Sequence, residues 1–206
     1  MDRKKVALKL MVVAIAVVVI FAVVPSEASA YTYNRWAAAN YAKSNWNSNV
    51  PGSNYFGSND CTNFVSNCLK AGGWPEVYEP WTYWQHLIFR KKPDAWYANS
   101  WTHWYSYTWG GANNFGKYVG IYSGRGYTRS LSYTPWYRYF KIGDIVQIDY
   151  NKDGVWDHTM IITDITHNDM YVTYHWASSK YVSLNYLKDN KYPNARFMGY
   201  NLKDRF

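Results

Sequence analysis

The sequence predicts an α+β fold, with N-terminal helices packed on an antiparallel β-sheet meander. Three observations carry this. Residues 61–71 read as a helix marked at both ends: Ser58, Asn59 and Asp60 offer N-cap oxygens, and Gly72-Gly73 offers a stop. Cys61, Phe64, Val65, Cys68 and Leu69 recur at helical spacing, so they form one apolar face. From Phe140 onward the pattern changes to short apolar runs separated by Asn/Asp/Gly turns, which is the pattern of strands. Helices that precede strands, rather than alternating with them, place the chain in the α+β class.

The chain of 206 residues opens with Met1-Asp2-Arg3-Lys4-Lys5, followed by an apolar run from Leu10 to Val24 and a small-x-small site at Ala28-Ser29-Ala30. That order reads as a secretory signal peptide over 1–30, with a single domain over 31–206. The apolar run is short for a stable transmembrane helix, so no stable membrane anchor is expected after cleavage, and the protein is expected to be extracellular. Lys and Arg total 22 against 14 Asp and Glu, a net charge of +8, of which the leader supplies +2. A secreted basic protein meets anionic surfaces such as wall polymers, acidic polysaccharide or membrane, although modest positive charge also serves solubility alone. No nucleic-acid motif is present, and a monomer is expected.

Tyr33-Asn34 can cap a first helix through about Trp46. Residues 47–59 are rich in Asn, Ser, Gly and Pro and read as a loop that delivers the chain to the Cys61 helix. A thiol in the first turn meets unpaired backbone N–H groups and the positive end of the helix dipole, and both favour thiolate. The competing reading is a small core hydrophobe. Cys61 and Cys68 are unsuited to a disulfide: seven residues of helix separate the Cα atoms by roughly 10.5 Å, and a disulfide needs about 7 Å or less. Both thiols are therefore expected to be free.

Residues 74–139 are aromatic and poorly periodic, with a short helix expected near 110–119 and loop or irregular strand over 122–136. Rings interleaved with small polar groups suit sugar or peptide grooves, and equally the core of a loop-rich domain. Strands are expected over 145–150, 155–166, 170–175 and 196–202, with Asn151-Lys152-Asp153-Gly154 as a hairpin turn.

A cysteine nucleophile needs a base within hydrogen-bond reach and a third group to orient that base. His158 begins the apolar half of a strand and His175 ends its neighbour, so the pair can meet. His86 and His103 sit in the aromatic segment and His167 in a turn. Asp149-x-Asn151-x-Asp153 copies the start of a calcium loop, but its twelfth position is Met160, and a hairpin turn explains the same residues. A zinc site of Cys61, His158 and His175 lacks zinc-type spacing.

Asp60-Cys61-Thr62-Asn63-Phe64-Val65-Ser66 resembles the helix start of NlpC-type papain-like cell-wall peptidases. The longer stretch through Gly73 more closely resembles the bacterial putative amidase domain family, within the NlpC-type/CHAP-type papain-like superfamily. Tyr33–Ala38 with Tyr41-Ala42, Lys141–Val146 and Asp153–Ile162 resemble further blocks of that family in the same order. The resemblance implies a papain-like fold, Cys61 as nucleophile, His158 as general base and His175 as third residue, with Asn185 as its substitute. Asp60, Thr62 and Trp156 flank these positions and are the candidate substrate contacts. It implies amide hydrolysis, expected in bacterial peptidoglycan or another wall polymer, with no metal and no organic cofactor. The rivals are a catalytically inactive wall- or glycan-binding module and an acyltransferase using the same pair.

Overall fold

The computed structural model describes residues 31–48, 56–132, 136–175 and 179–206. The leader read over 1–30, part of the 47–59 and 122–136 segments, and the Ser58 side chain proposed as a cap lie outside the described residues. Residues 31–206 form one compact unit.

Helix α1 spans Arg35–Asn45 and starts where expected, because the Asn34 side chain accepts from the Ala37 N–H at 2.9 Å. Ala38, Ala39 and Ala42 are buried, which lets α1 lie close to its neighbour. Helix α2, Cys61–Ala71, follows one 3₁₀ turn and stops at Gly72, with Gly73 at φ +94°.

The single apolar face expected of α2 describes only part of it. Thr62, Asn63 and Ser66 are as buried as Phe64, Val65, Cys68 and Leu69. The reason is that α2 lies between two partners. On one side Thr62 Oγ1 meets Thr159 Oγ1 of the sheet at 2.9 Å. On the other, Trp109 Nε1–H donates to Asn63 Oδ1 at 2.7 Å, Ser66 Oγ–H donates to the Trp109 carbonyl at 2.9 Å, and Trp96 Nε1–H donates to Ser66 Oγ at 3.2 Å. The aromatic segment is therefore the second wall of the core. Trp74, Trp96 and Trp109 sit ring to ring within it, at 5.7 and 4.5 Å between centroids.

That segment is more regular than its sequence suggests. It contains α3 (Tyr83–Phe89), the hairpin β1–β2 (Ala98–Asn99 and Trp104–Tyr105), α4 (Tyr107–Gly110) and α5 (Ala112–Lys117). The helix expected near 110–119 is α5.

The main sheet has six antiparallel strands: β3 (Gly126–Ser130), β4 (Ile145–Asp149), β5 (His158–Ile165), β6 (Met170–Tyr174), β7 (Ser179–Ser183) and β8 (Arg196–Leu202), in the order β3-β8-β4-β5-β6-β7. The meander β4 to β6 is as expected and β7 extends it beyond the strands read from the sequence, while β8 returns to pair with β4 and brings β3 to the edge. A three-residue helix, α6 (Leu184–Tyr186), follows β7. Side chains alternate across the sheet. Ile145 and Ile161 join α2 and the tryptophans, whereas Val146, Ile148, Met160, Ile162 and Val172 form a second core with Leu184 and Leu187.

The tight turn expected at 151–154 is instead a loop over 150–157, since β5 begins at His158. Two carboxylates hold it closed. Asp149 accepts from the N–H groups of Asp153 and Gly154 at 3.2 and 3.0 Å, and Asp157 accepts from Tyr150 N–H at 2.9 Å. At the start of β4, Asp144 accepts from Arg35 at 2.7 Å and from Leu202 N–H at 2.9 Å, joining α1, β4 and β8.

Ser66→Ala would leave the Trp96 N–H and the Trp109 carbonyl buried without their partner. We expect it to cost about 1–3 kcal/mol, read as a lower urea midpoint with an unchanged m-value.

Candidate active site

Cys61 and His158 line one cleft of about 530 Å³. The helix side is formed by Asn59 and Cys61, the sheet side by Tyr150 and Trp156–His158, and the third wall by Gly110-Gly111 between α4 and α5. Cys61 stands at the first position of α2 and is 8 % exposed. The N–H groups of Thr159 and Thr62 point at its sulfur, and Thr62 Oγ1 lies 3.7 Å away.

The expected thiolate is not what this setting favours. Burial pushes the Cys61 thiol up, and Asp60 adds to that effect, so together they outweigh the N–H donors that favour the anion. His158 is 2 % exposed, and burial, assisted by the Lys191 ammonium, lowers its pKa to about 3. The resting pair is accordingly a neutral thiol and a neutral imidazole. Cys68 is fully buried, and burial pushes its thiol well above the ordinary value; both cysteines are free, as their spacing predicts.

His175 does not orient His158. Its Nδ1 lies 2.6 Å from Asp60 Oδ2 and its Nε2–H donates to the Asn45 carbonyl at 2.9 Å, while the ring stacks on Phe64 at 4.1 Å. The cause is alternation along β6: Thr173 and His175 face α2, whereas Tyr174 faces His158, meeting it edge-on at 4.8 Å. Asp60 is equally committed. Its other oxygen accepts from Phe56 N–H at 3.0 Å and Asn63 Nδ2 at 2.8 Å, and it makes no side-chain cap to α2. Asp60 and Thr62 are buried and absent from the cleft wall, so neither is placed as a substrate contact. Trp156 does line the cleft, with the Arg196 guanidinium 4.5 Å above its ring. Asn185 donates to the Asn168 carbonyl at 3.0 Å, away from the cleft.

The calcium-like loop is likewise occupied by its own chain. Asp149 is bonded to two backbone N–H groups and to Arg196 at 2.7 Å, and Asp153 accepts from Val155 N–H at 2.7 Å. Among the described residues there is no cluster of three or more His, Cys, Asp or Glu that could hold a metal ion.

A family model described as a putative amidase domain matches residues 32–199. The chain belongs to the putative amidase domain family. Relatives in this family range include two Bacillus subtilis (strain 168) proteins described as uncharacterized, YjcM and YhbB. YjcM is 30 % identical over 69 % of this chain and 31 % of its own length, and YhbB is 30 % identical over 65 % of this chain and 38 % of its own length. The chain thus spans about a third of the relatives it matches. No solved structure matches it. Membership in an amidase-domain family points to a hydrolase of amide bonds.

Several residues of this amidase-domain cleft were not anticipated. Tyr150, Tyr174, Tyr192 and Lys191 border a smaller cavity of about 100 Å³ on the other side of His158. Burial and its bond to Tyr192 raise the Tyr150 hydroxyl, which keeps it a proton donor beside the cleft. Its place was readable in principle: Ile148 pairs with His158, and Tyr150 lies two residues further on the same strand face. The main cleft also adjoins two shallower depressions. One, of about 400 Å³, shares Asn59 and Gly110-Gly111 and is walled by Phe56, Tyr105 and Tyr107. The other, of about 380 Å³, shares Tyr150 and reaches Tyr192 and Asn194. Neither could be found from periodicity, because each joins residues far apart in sequence.

Two measurements test this electrostatic description. Asp60→Ala removes the acceptor of a buried imidazole and should cost about 3 kcal/mol; adding His175→Phe should restore most of it in a double-mutant cycle. His158 has a folded pKa of about 3 against about 6.5 when unfolded, so the unfolded chain binds the extra proton. Its contribution to stability is complete above pH 6.5 and is lost as pH falls toward 3. His158→Gln should flatten the acid limb by up to about 1.4 kcal/mol per pH unit.

Proposed function

We propose that the domain is a secreted cysteine amidase or peptidase of the papain-like superfamily, acting on amide bonds of bacterial cell-wall peptidoglycan. The observation that carries this is that Cys61, at the N-terminus of the central helix, and His158, at the start of a sheet strand, line one cleft. The helix-then-sheet order and the antiparallel meander agree with such a fold. A groove with depressions on both sides of the pair suits a polymer that continues past the bond being cut. The basic charge suits an anionic wall.

His158, neutral at rest, accepts the Cys61 proton as sulfur attacks the amide carbonyl. Charge develops on the carbonyl oxygen at the open end of α2. The Asp60 carboxylate is turned away from that end, which leaves the Cys61 N–H to meet the oxyanion. Asn59, on the same wall, is our candidate for the second donor. The imidazolium then gives its proton to the leaving amine. Water, deprotonated by the same ring, attacks the thioester to release the carboxylic acid and return the thiol. Tyr150 and Tyr174 border His158 and hold the ring in place of the third residue assigned to His175.

The test is release of soluble fragments from purified peptidoglycan. Cys61→Ala and His158→Ala should each lower kcat/KM by about a thousand-fold or more, and Asn59→Ala by about a hundred-fold, chiefly in kcat. Identical fragment release by wild type and both dyad variants would sink the cysteine mechanism. Because the resting pair is neutral, iodoacetamide should label Cys61 with a rate that climbs only through the ordinary thiol range and above it. A reactive plateau near pH 5–6 would instead reveal a thiolate–imidazolium pair.

A further inference from the structure

Three tryptophans of the aromatic segment stand almost wholly in water. Trp81, Trp84 and Trp101 are 91 %, 75 % and 90 % exposed, and Ile88 is 62 % exposed. Trp81, Trp84 and Ile88 follow one another at intervals of three and four residues, so they form one outward stripe along α3 and its entry turn. Isolated exposed apolar residues are ordinary, whereas a stripe of large rings is not.

These rings sit on firm supports. The capping box of Thr82 and Gln85 holds the first turn of α3. On the inner side, His86 stacks on Trp104 at 5.2 Å and bonds to the Tyr97 hydroxyl at 3.0 Å. That stack ties α3 to the β1–β2 hairpin, whose tip carries Trp101. There Asn99 Oδ1 accepts from the Trp101 and Thr102 N–H groups, both at 3.0 Å.

We propose that this face docks onto an anionic phospholipid surface. Several polar groups between the rings are engaged within the protein: Thr82 and Gln85 in the capping box, Asn99 Oδ1 in its turn, and Glu76 with Lys70 and the Ala98 N–H. The exposed groups include ring surface, the Ile88 side chain and the ammonium of Lys91 just beyond the helix end, with Tyr83, Ser100 and His103 exposed among them. Ile88 presents no face for stacking on a sugar. A bilayer interface takes this combination directly, with rings at the headgroup level, aliphatic carbon below them and ammonium against phosphate. The charge is complementary: the chain is +8, with only +2 from the leader. Of the nearby carboxylates, Asp94 is hydrogen-bonded to Tyr78, and the exposed Glu79 lies at the Trp81 end of the stripe, opposite Lys91. Among the described residues no helix is long and apolar enough to cross a membrane.

The form to test is residues 31–206, which contain both hydrophobic cores and constitute one compact unit. It is sedimented with vesicles of about equal phosphatidylglycerol and phosphatidylcholine, with phosphatidylcholine alone, and with purified peptidoglycan. Binding is expected to the anionic vesicles. The triple variant Trp81→Ala/Trp84→Ala/Trp101→Ala should lower the partition coefficient by about ten-fold or more, with an unchanged far-UV spectrum. Lys91→Glu should lower it by about five-fold, an effect that fades in high salt. No binding to anionic vesicles, or equal binding by wild type and the triple variant, overturns the proposal. So does ring-dependent binding to peptidoglycan with the vesicles ignored, which would make the face a glycan platform. A dimer on size exclusion that is lost with the rings would assign the face to a second copy and overturn it equally.

Discussion

A helix buried on opposite sides must find partners for its polar residues inside the protein, and the rest of this fold depends on how α2 does so. Its sheet side uses one hydroxyl pair, Thr62 with Thr159. Its other side uses Asn63 and Ser66, which bind the indole N–H groups and main chain of Trp109 and Trp96. Tryptophan suits this role because it adds large apolar area and one well-defined donor. The aromatic segment is thus built into the core at one end, leaving its other rings free to face outward. The sheet and the segment are held against the same helix, and the cleft forms where its N-terminus emerges between them.

The electrostatics of that N-terminus follow from burial. A helix end and directed N–H groups favour a thiolate, but desolvation of Cys61 outweighs them, and His158 is disfavoured as a cation for the same reason. In the mechanism proposed above, a pair that is neutral at rest would couple proton transfer to attack on the carbonyl. The carboxylate nearest Cys61 is tied elsewhere. Asp60 bonds Phe56, Asn63 and His175, so it shapes the approach to α2 without occupying the position where oxyanion charge would develop.

Much of this was legible in the sequence. The limits of α1 and the end of α2 followed from Asn34 and from Gly72-Gly73, because caps and glycines act locally, whereas α2 begins at Cys61 without the side-chain cap expected of Asp60. Strands β4, β5, β6 and β8 followed from short apolar runs between Asn/Asp/Gly turns, which are also local. The burial of Asn63 and Ser66 was hidden, since their Trp96 and Trp109 partners lie 30 to 46 residues away and become visible only in the assembled core. The role given to His175 went astray for a related reason: family order places a residue on a strand, but one step along that strand reverses the face. Tyr174, its neighbour, meets His158 edge-on. The thiolate expected of Cys61 failed because a helix position can be read from sequence and a degree of desolvation cannot.

The same alternation gives β5 an unusual sensitivity. His158 borders the tyrosine cavity and Thr159, next in line, bonds α2 and Gln147. A slip of one residue against β4 would exchange them, removing the imidazole from its place and burying it against the helix. The connection from β4 to β5 is pinned at both ends by Asp149 and Asp157. In evolutionary terms these two carboxylates separate loop length from strand register. Insertions between them can reshape the rim of the cleft and alter what it accepts, while the chemistry behind it keeps its alignment.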